Sequence, residues 1–129
     1  MIRYNDNRQI NPPAPFVHVT IERPSSEGTS IEVPAQIDSA ADITVIPWRV
    51  VEELQLVQFG EQSVAGFGGY TLELPTFLIQ IGLRGQPLRP VKVLASRDES
   101  FALLGRDVLN HHQLVLDGPN LVLEVRSST

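Results

Sequence analysis

Ala35-Gln36-Ile37-Asp38-Ser39-Ala40-Ala41-Asp42-Ile43-Thr44-Val45-Ile46 is the most informative stretch of this 129-residue chain. A carboxylate, Asp38, stands at the end of an apolar run and is followed by three small residues, which let another segment approach the backbone closely. Upstream, Ile31, Val33, Ala35 and Ile37 alternate with Glu32, Pro34 and Gln36, the period of two that marks a strand with one face buried. Val17, Val19 and Ile21 alternate in the same way with His18, Thr20 and Glu22. The turn-forming cluster Ser25-Ser26-Glu27-Gly28-Thr29 joins these two strands into an antiparallel hairpin that ends at Asp38. Read alone, Asp38-Ser39 is equally an ordinary turn start, so other segments must decide its role.

The length fits one domain. With 42% hydrophobic and 19% charged residues, the chain can bury a core. A net charge of −5 argues against gripping phosphate backbones, so no nucleic-acid partner is expected. The absence of cysteine excludes disulfide scaffolds, thiolate zinc sites and cysteine nucleophiles. No apolar run approaches the ~20 residues of a membrane-spanning helix. Met1-Ile2-Arg3-Tyr4-Asn5-Asp6 lacks the apolar centre of a signal peptide, so a soluble, cytoplasmic protein is expected.

Residues 1–15, ending in Asn11-Pro12-Pro13-Ala14-Pro15, read as an extended or flexible arm, residues 16–126 as the folded domain, and 127–129 as a tail. Further strands are expected at Thr71 to Ile81, Pro90 to Leu94, Gln113 to Leu116 and Leu121 to Arg126, the last two joined by Asp117-Gly118-Pro119-Asn120. Pro34, Pro75 and Pro90 belong at edges or bulges, because proline donates nothing to a ladder. Pro47, at a first helical position, opens a short helix from Trp48 to Leu54, and Arg106 to His112 predicts a second. Together these describe a mainly-β fold, a small barrel or folded sheet with one or two short helices.

Two more segments bear on chemistry. Val64-Ala65-Gly66-Phe67-Gly68-Gly69-Tyr70 sets three glycines around an aromatic between strands, a composition suited to a lid and also to a plain hairpin tip. Phe101-Ala102-Leu103-Leu104-Gly105-Arg106-Asp107-Val108-Leu109 is an apolar strand that stops at glycine and passes into a helix, by itself an ordinary junction.

In this order the three segments resemble the retropepsin-like aspartic proteases, over roughly Phe16 to Val125. That family shows Asp-Thr/Ser-Gly-Ala, a Gly-rich flap, and an apolar pair followed by Gly-Arg-Asp/Asn and a second apolar pair. Asp38-Ser39-Ala40-Ala41, Gly66-Phe67-Gly68-Gly69-Tyr70 and Leu103-Leu104-Gly105-Arg106-Asp107-Val108-Leu109 occupy those places here. The resemblance implies a small closed acid-protease-like barrel, one lobe per chain, working as a two-fold homodimer on peptide or protein substrates without cofactor or metal. Asp38 from each subunit would be catalytic and the Ser39 hydroxyl would bond across the interface. Asp42 would contact substrate backbone and pair with Arg106, while residues 66–70 would close over an extended peptide. Leu104, Gly105 and Arg106 would support the loop, and Val45, Phe67 and Leu104 would wall the pockets.

Ala40 departs from the family glycine and puts a methyl group where substrate backbone should pass. The alternative to an active enzyme is therefore a catalytically degenerate dimerisation or peptide-binding module. Ala41 donates no side-chain hydrogen bond to the carboxylate, which favours activity at mildly acidic to neutral pH. Adjacent His111 and His112 point apart and find no third ligand at useful spacing, so no metal site is expected. Trp48 reads as packing or rim, and Glu52-Glu53 as a solvated face.

Overall fold

Thirteen short elements, two of them α-helices, make up the computed structural model, which describes residues 1–25, 28–65 and 68–126. The strands are β1 (Ile2–Arg3), β2 (Phe16–Glu22), β3 (Ser30–Ile37), β4 (Val45–Pro47), β5 (Gly60–Ala65), β6 (Thr71–Leu83), β7 (Arg89–Ser96), β8 (Ala102–Leu104), β9 (Gln113–Asp117) and β10 (Val122–Arg126). The helices are α1 (Trp48–Leu54) and α2 (Arg106–Leu109), and a 3-10 turn covers Tyr4–Asn7. Three expectations lie outside the described residues: the Ser26-Glu27 part of the first turn, Gly66-Phe67, and the tail at 127–129.

Alternation does what the sequence promised for the first hairpin. Val17, Val19, Ile21, Val33 and Ala35 are buried, and β2 pairs antiparallel with β3 from Phe16↔Gln36 to Glu22↔Ser30. The main sheet runs β2-β3-β8-β4-β7-β6-β5, and β6 returns to β2 through Val19↔Leu83 to Glu22↔Gln80. That last pairing closes six strands, β2-β3-β8-β4-β7-β6, into a barrel and leaves β5 attached outside on β6. Closure leaves those strands without open edges and encloses one core of Val19, Ile21, Val33, Ile46, Phe77, Ile79, Val93 and Leu104. A second sheet, β1-β10-β9, lies beside it.

Each proline in the barrel strands sits where one side of its strand has no partner. Pro34 pairs with His18 on β2 but precedes the β8 ladder, which starts at Ala35. Pro75 pairs with Glu61 on β5 but precedes the β7 ladder, which starts at Thr76. Pro90 pairs with Gln80 on β6, while β4 engages β7 only from Leu94. The missing N–H therefore costs no ladder bond.

Three boundaries differ from the sequence reading. Pro47 caps α1 in extended conformation (φ −69°, ψ 147°) instead of forming its first turn. The second helix stops at Leu109, short of His112. Residues 1–15 are fastened to the domain: Ile2 and Arg3 pair with Leu123 and Val122 of β10, and Asn5 Oδ1 accepts the Ala14 N–H at 2.7 Å. Asp6 Oδ1 lies 2.8 Å from His18 Nε2. Asn5, Asp6 and Asn7 take positive φ, which short polar side chains tolerate best among non-glycine residues. Among the described residues no helix is long and apolar enough to cross a membrane.

Candidate active site

The loop from Asp38 to Thr44 leaves β3 where the parallel β3–β8 ladder ends at Ile37↔Leu104. That ladder is extended one step by the Asp38 N–H, which donates to the Leu104 carbonyl at 3.0 Å. The Ala41 N–H then donates to the Asp38 carbonyl at 3.1 Å, closing a tight turn over Asp38-Ser39-Ala40-Ala41. Asp38 is half-buried, whereas Ser39, Ala40 and Asp42 are exposed. A carboxylate is thus presented at a surface of small residues, on a backbone hydrogen-bonded at Asp38 and Ala41. Ala40 is not among the residues at positive φ, so its backbone makes no demand that only glycine could meet.

The junction after β8 holds the loop from beneath. Arg106 N–H donates to the Ala41 carbonyl at 2.9 Å, and Arg106 Nη1 donates to the Ser39 carbonyl at 2.8 Å. The expected Asp42–Arg106 ion pair is not formed. Arg106 opens α2, its backbone is committed to Ala41, and its guanidinium runs along the loop to Ser39; Asp42 has no ion pair among the described residues.

The carboxylate that clamps the loop is Asp107. Its Oδ1 accepts the Thr44 hydroxyl at 2.7 Å and its Oδ2 accepts the Thr44 N–H at 3.0 Å, while Thr44 Oγ1 accepts the Gly105 N–H at 3.0 Å. Thr44 is fully buried, and every polar atom of this cluster has a partner, as burial requires. Gly105 lies against the backbone of Ile43: a Cβ there would sit 2.8 Å from the Ile43 carbonyl carbon. Neither Thr44 nor Asp107 stood out in the sequence as a site residue. Their only signal is position, one inside the stretch after Asp38 and the other directly after Gly105-Arg106.

Leu104 is fully buried and supports the loop through its carbonyl, so it walls no pocket. Half-buried Leu103 takes the outward face of β8, and Val45, opposite it in the register, is half-buried too. The β5–β6 hairpin projects beyond the barrel, paired from Gly60↔Thr76 to Ala65↔Thr71. At its tip Gly68 (φ 87°) and Gly69 (φ 81°) adopt the left-handed region that glycine supplies without strain. Tyr70 beside them is exposed, and Gly66 and Phe67 lie outside the described residues.

Elsewhere, Trp48 packs edge-on against Phe77 at 6.0 Å and lies under the Arg97 guanidinium at 4.0 Å. His112 is held below the ordinary histidine value of 6.5 by burial, then by the charges of His111 and Arg89. No cluster of three metal-ligating side chains occurs among the described residues. An apolar groove of about 510 Å³ lined by Pro24, Leu56, Val57, Phe59 and Leu78 contains no residue of the Asp38 loop, and Arg23 is its one titratable wall.

No protein-family model matches the sequence. The Gag-Pro polyprotein of Human T-cell leukemia virus 3 (strain Pyl43) is 30% identical over 121 residues, 88% of this chain. The Gag-Pro-Pol polyprotein of the same virus matches equally, and the chain spans 20% of the first polyprotein and 8% of the second. Among solved structures, an EIAV protease complexed with an inhibitor superposes with TM-score 0.58 at 20% identity, covering 84% of this chain and 92% of that one. A foamy viral protease-reverse transcriptase, in complex with an RNA/DNA hybrid, gives TM-score 0.55 at 15% identity over 77% of this chain and 12% of its own.

Proposed function

This chain belongs to the retropepsin-like aspartic protease family, and we propose that it is an aspartic endopeptidase whose active unit is a two-fold homodimer. The observation that carries the reading is the fixed, half-buried Asp38 on an exposed loop of small residues, locked to β8 and α2 by Leu104, Arg106 and Asp107.

Hydrolysis of an amide by water needs one group to take a proton from the water and another to give one to the carbonyl oxygen. Two carboxylates sharing a single proton supply both. One chain offers one such carboxylate, and a second copy on a two-fold axis supplies the other. In the first step the ionised Asp38 accepts a water proton as the water oxygen bonds to the carbonyl carbon, and the protonated Asp38 of the other copy donates to the carbonyl oxygen. In the second, the carbon–nitrogen bond breaks as the nitrogen takes the proton held by the first Asp38 and one hydroxyl of the tetrahedral carbon returns a proton to the other, releasing amine and acid with one proton left on the dyad. An extended peptide would lie between the paired loops and the two β5–β6 hairpins, which act as flaps that exclude water. The exposed Ser39 hydroxyl is available to bond across the axis, and exposed Asp42 to meet substrate backbone. The backbone at Ala40, free of positive φ, favours the active enzyme over the degenerate binding module.

Digestion of a diverse peptide mixture across about pH 3 to 8, read by mass spectrometry, tests this with Asp38→Asn protein as control. Cuts that vanish in the variant are expected. Cuts that persist there would overturn Asp38 as the catalytic group. Silence from the parent, with cleavage restored by Ala40→Gly, would identify the degenerate module instead.

A further inference from the structure

Arg89 at the start of β7, and His111 and His112 in the turn between α2 and β9, line one small pocket whose other walls include Ile81, Val91 and Val108. Neighbouring residues diverge on a strand or helix, but this turn is neither, and it brings both histidines to the same place. The three basic groups are close enough for their charges to act on one another. His112 resists protonation because it is part-buried and because positive charge on His111 and Arg89 opposes its own. In a chain of net charge −5, none of the three has an ion pair among the described residues. Asp107, the carboxylate on the pocket wall, gives both of its oxygens to Thr44.

The donors decide what such a pocket accepts. A guanidinium donates and never accepts, and a protonated imidazole donates from both ring nitrogens. Charge-assisted donors on two elements favour an anion with several oxygens to share among them. The enclosed part of the pocket is about 10 Å³, room for a single oxygen, so no apolar body enters and a ligand is held at the mouth, where Arg89 and His111 are exposed. We propose that Arg89, His111 and His112 form a binding site for a tetrahedral dianion of the phosphate type, either the free ion or a phosphate monoester. Protons and anion reinforce each other there: charge on the rings attracts the anion, and the anion offsets the repulsion among the three cations. Occupancy therefore rises on acidification. The site lies past the far end of α2 from the Asp38 loop and does not depend on the peptidase reading.

NMR of the histidine ring protons, titrated with sodium sulfate at an ionic strength held constant with sodium chloride, tests this. Sulfate keeps its double charge between about pH 5.5 and pH 8, and it should bind on the order of tenfold tighter at the lower end, the gain expected when a hydrogen bond acquires a charged donor. It should also move the titration midpoint of His112 upward, while His18, whose Nε2 lies 2.8 Å from Asp6 elsewhere in the fold, stays where it is. Arg89→Gln and His111→Gln, both at exposed positions, should each weaken binding on the order of tenfold with little change in urea midpoint, and Arg89→Lys should keep part of it. Inorganic phosphate and O-phosphoserine, compared at about pH 6, tell the two sources apart: tighter binding of phosphoserine assigns a monoester, and tighter binding of phosphate assigns the free ion. Acetate, with one charge, should bind more weakly than either. No sulfate-dependent shift of His112, or equal sulfate affinity in the parent and the Arg89→Gln, His111→Gln double variant, would overturn the site.

Discussion

The Asp38 loop and the β5–β6 hairpin are built on opposite plans within one small barrel. The loop is crossed by α2 and the end of β8, and its backbone is tied at Asp38, Ser39, Ala41 and Thr44 to Leu104, Arg106 and Asp107. From Glu61↔Pro75 to Ala65↔Thr71 the two strands of the hairpin pair only with each other among the described residues, and Thr71, Leu72 and Glu73 on it are exposed. The change falls within a single strand: β6 is exposed or half-buried from Thr71 to Pro75 and then largely buried from Thr76 to Leu83, where β7 and β2 flank it. Hydrogen bonds from neighbouring elements thus concentrate on the Asp38 loop and thin out toward the hairpin tip, the two parts that the proposed peptidase would keep fixed and let move.

The largest test of that contrast is Gly105→Ala. A Cβ at 2.8 Å from the Ile43 carbonyl carbon and 3.0 Å from its nitrogen meets backbone on both counts, so neither side can yield without opening the loop crossing. A loss of roughly 2–3 kcal/mol in urea unfolding is expected, with loss of peptidase activity alongside. The same change at Gly69, where a Cβ meets nothing within 4 Å but φ is 81°, should cost about 1 kcal/mol of backbone strain and little more. Equal costs at the two glycines would break the comparison.

Thr44→Val sharpens it. Valine keeps the shape of threonine but leaves Asp107 Oδ1 and the Gly105 N–H without their partner, which costs about 1–3 kcal/mol in a buried cluster. Ser63→Ala removes the matching side-chain bond of the hairpin, Ser63 to Glu73, where both groups are exposed and water replaces what is lost. That change should stay within about 0.5 kcal/mol. Chemical denaturation of the two variants side by side reads the difference, and a Thr44→Val protein as stable as its parent would show that the clamp is not what fixes the loop.

How much of this was legible depends on sequence distance. The β2–β3 hairpin, the span of α1 and the loop at Asp38 were readable because alternation, a proline before a helical run, and a carboxylate followed by small residues are all local signals. The Thr44–Asp107 clamp was not, since its partners lie 63 residues apart and meet only because β4 and β8 adjoin in the barrel. An Asp42–Arg106 pair was the expectation, and the structure commits Arg106 to carbonyls instead, a choice made by where α2 starts and not by residue type. The family resemblance implies Leu104 as a pocket wall, and a three-residue strand is too short for its period to show that Leu103 is the leucine facing out. The polar, proline-rich composition of residues 1–15 reads as an extended or flexible arm, and no local signal shows that the two-residue β1 is held by β10, more than a hundred residues away.

The smallest expected effect lies past the far end of α2 from the loop. His112 is kept low by burial and by the charges of His111 and Arg89, so the folded chain resists protonating it. Above the ordinary value of 6.5 the ring is neutral in both folded and unfolded chains and contributes no pH dependence. As pH falls through that value the unfolded chain binds a proton the folded chain does not, which favours unfolding until the folded value is passed, after which the difference stays constant. Stability should therefore fall on acidification, and the fall should be shallower in His112→Gln, with the two proteins compared by urea midpoints between about pH 7.5 and pH 5. Because the ring is partly exposed, this difference should be smaller than that of Thr44→Val. Parallel pH profiles would mean that His112 is solvated well enough to protonate freely, and that α2 is anchored to the barrel through Asp107, Val108 and Leu109 without help from the residue that follows it.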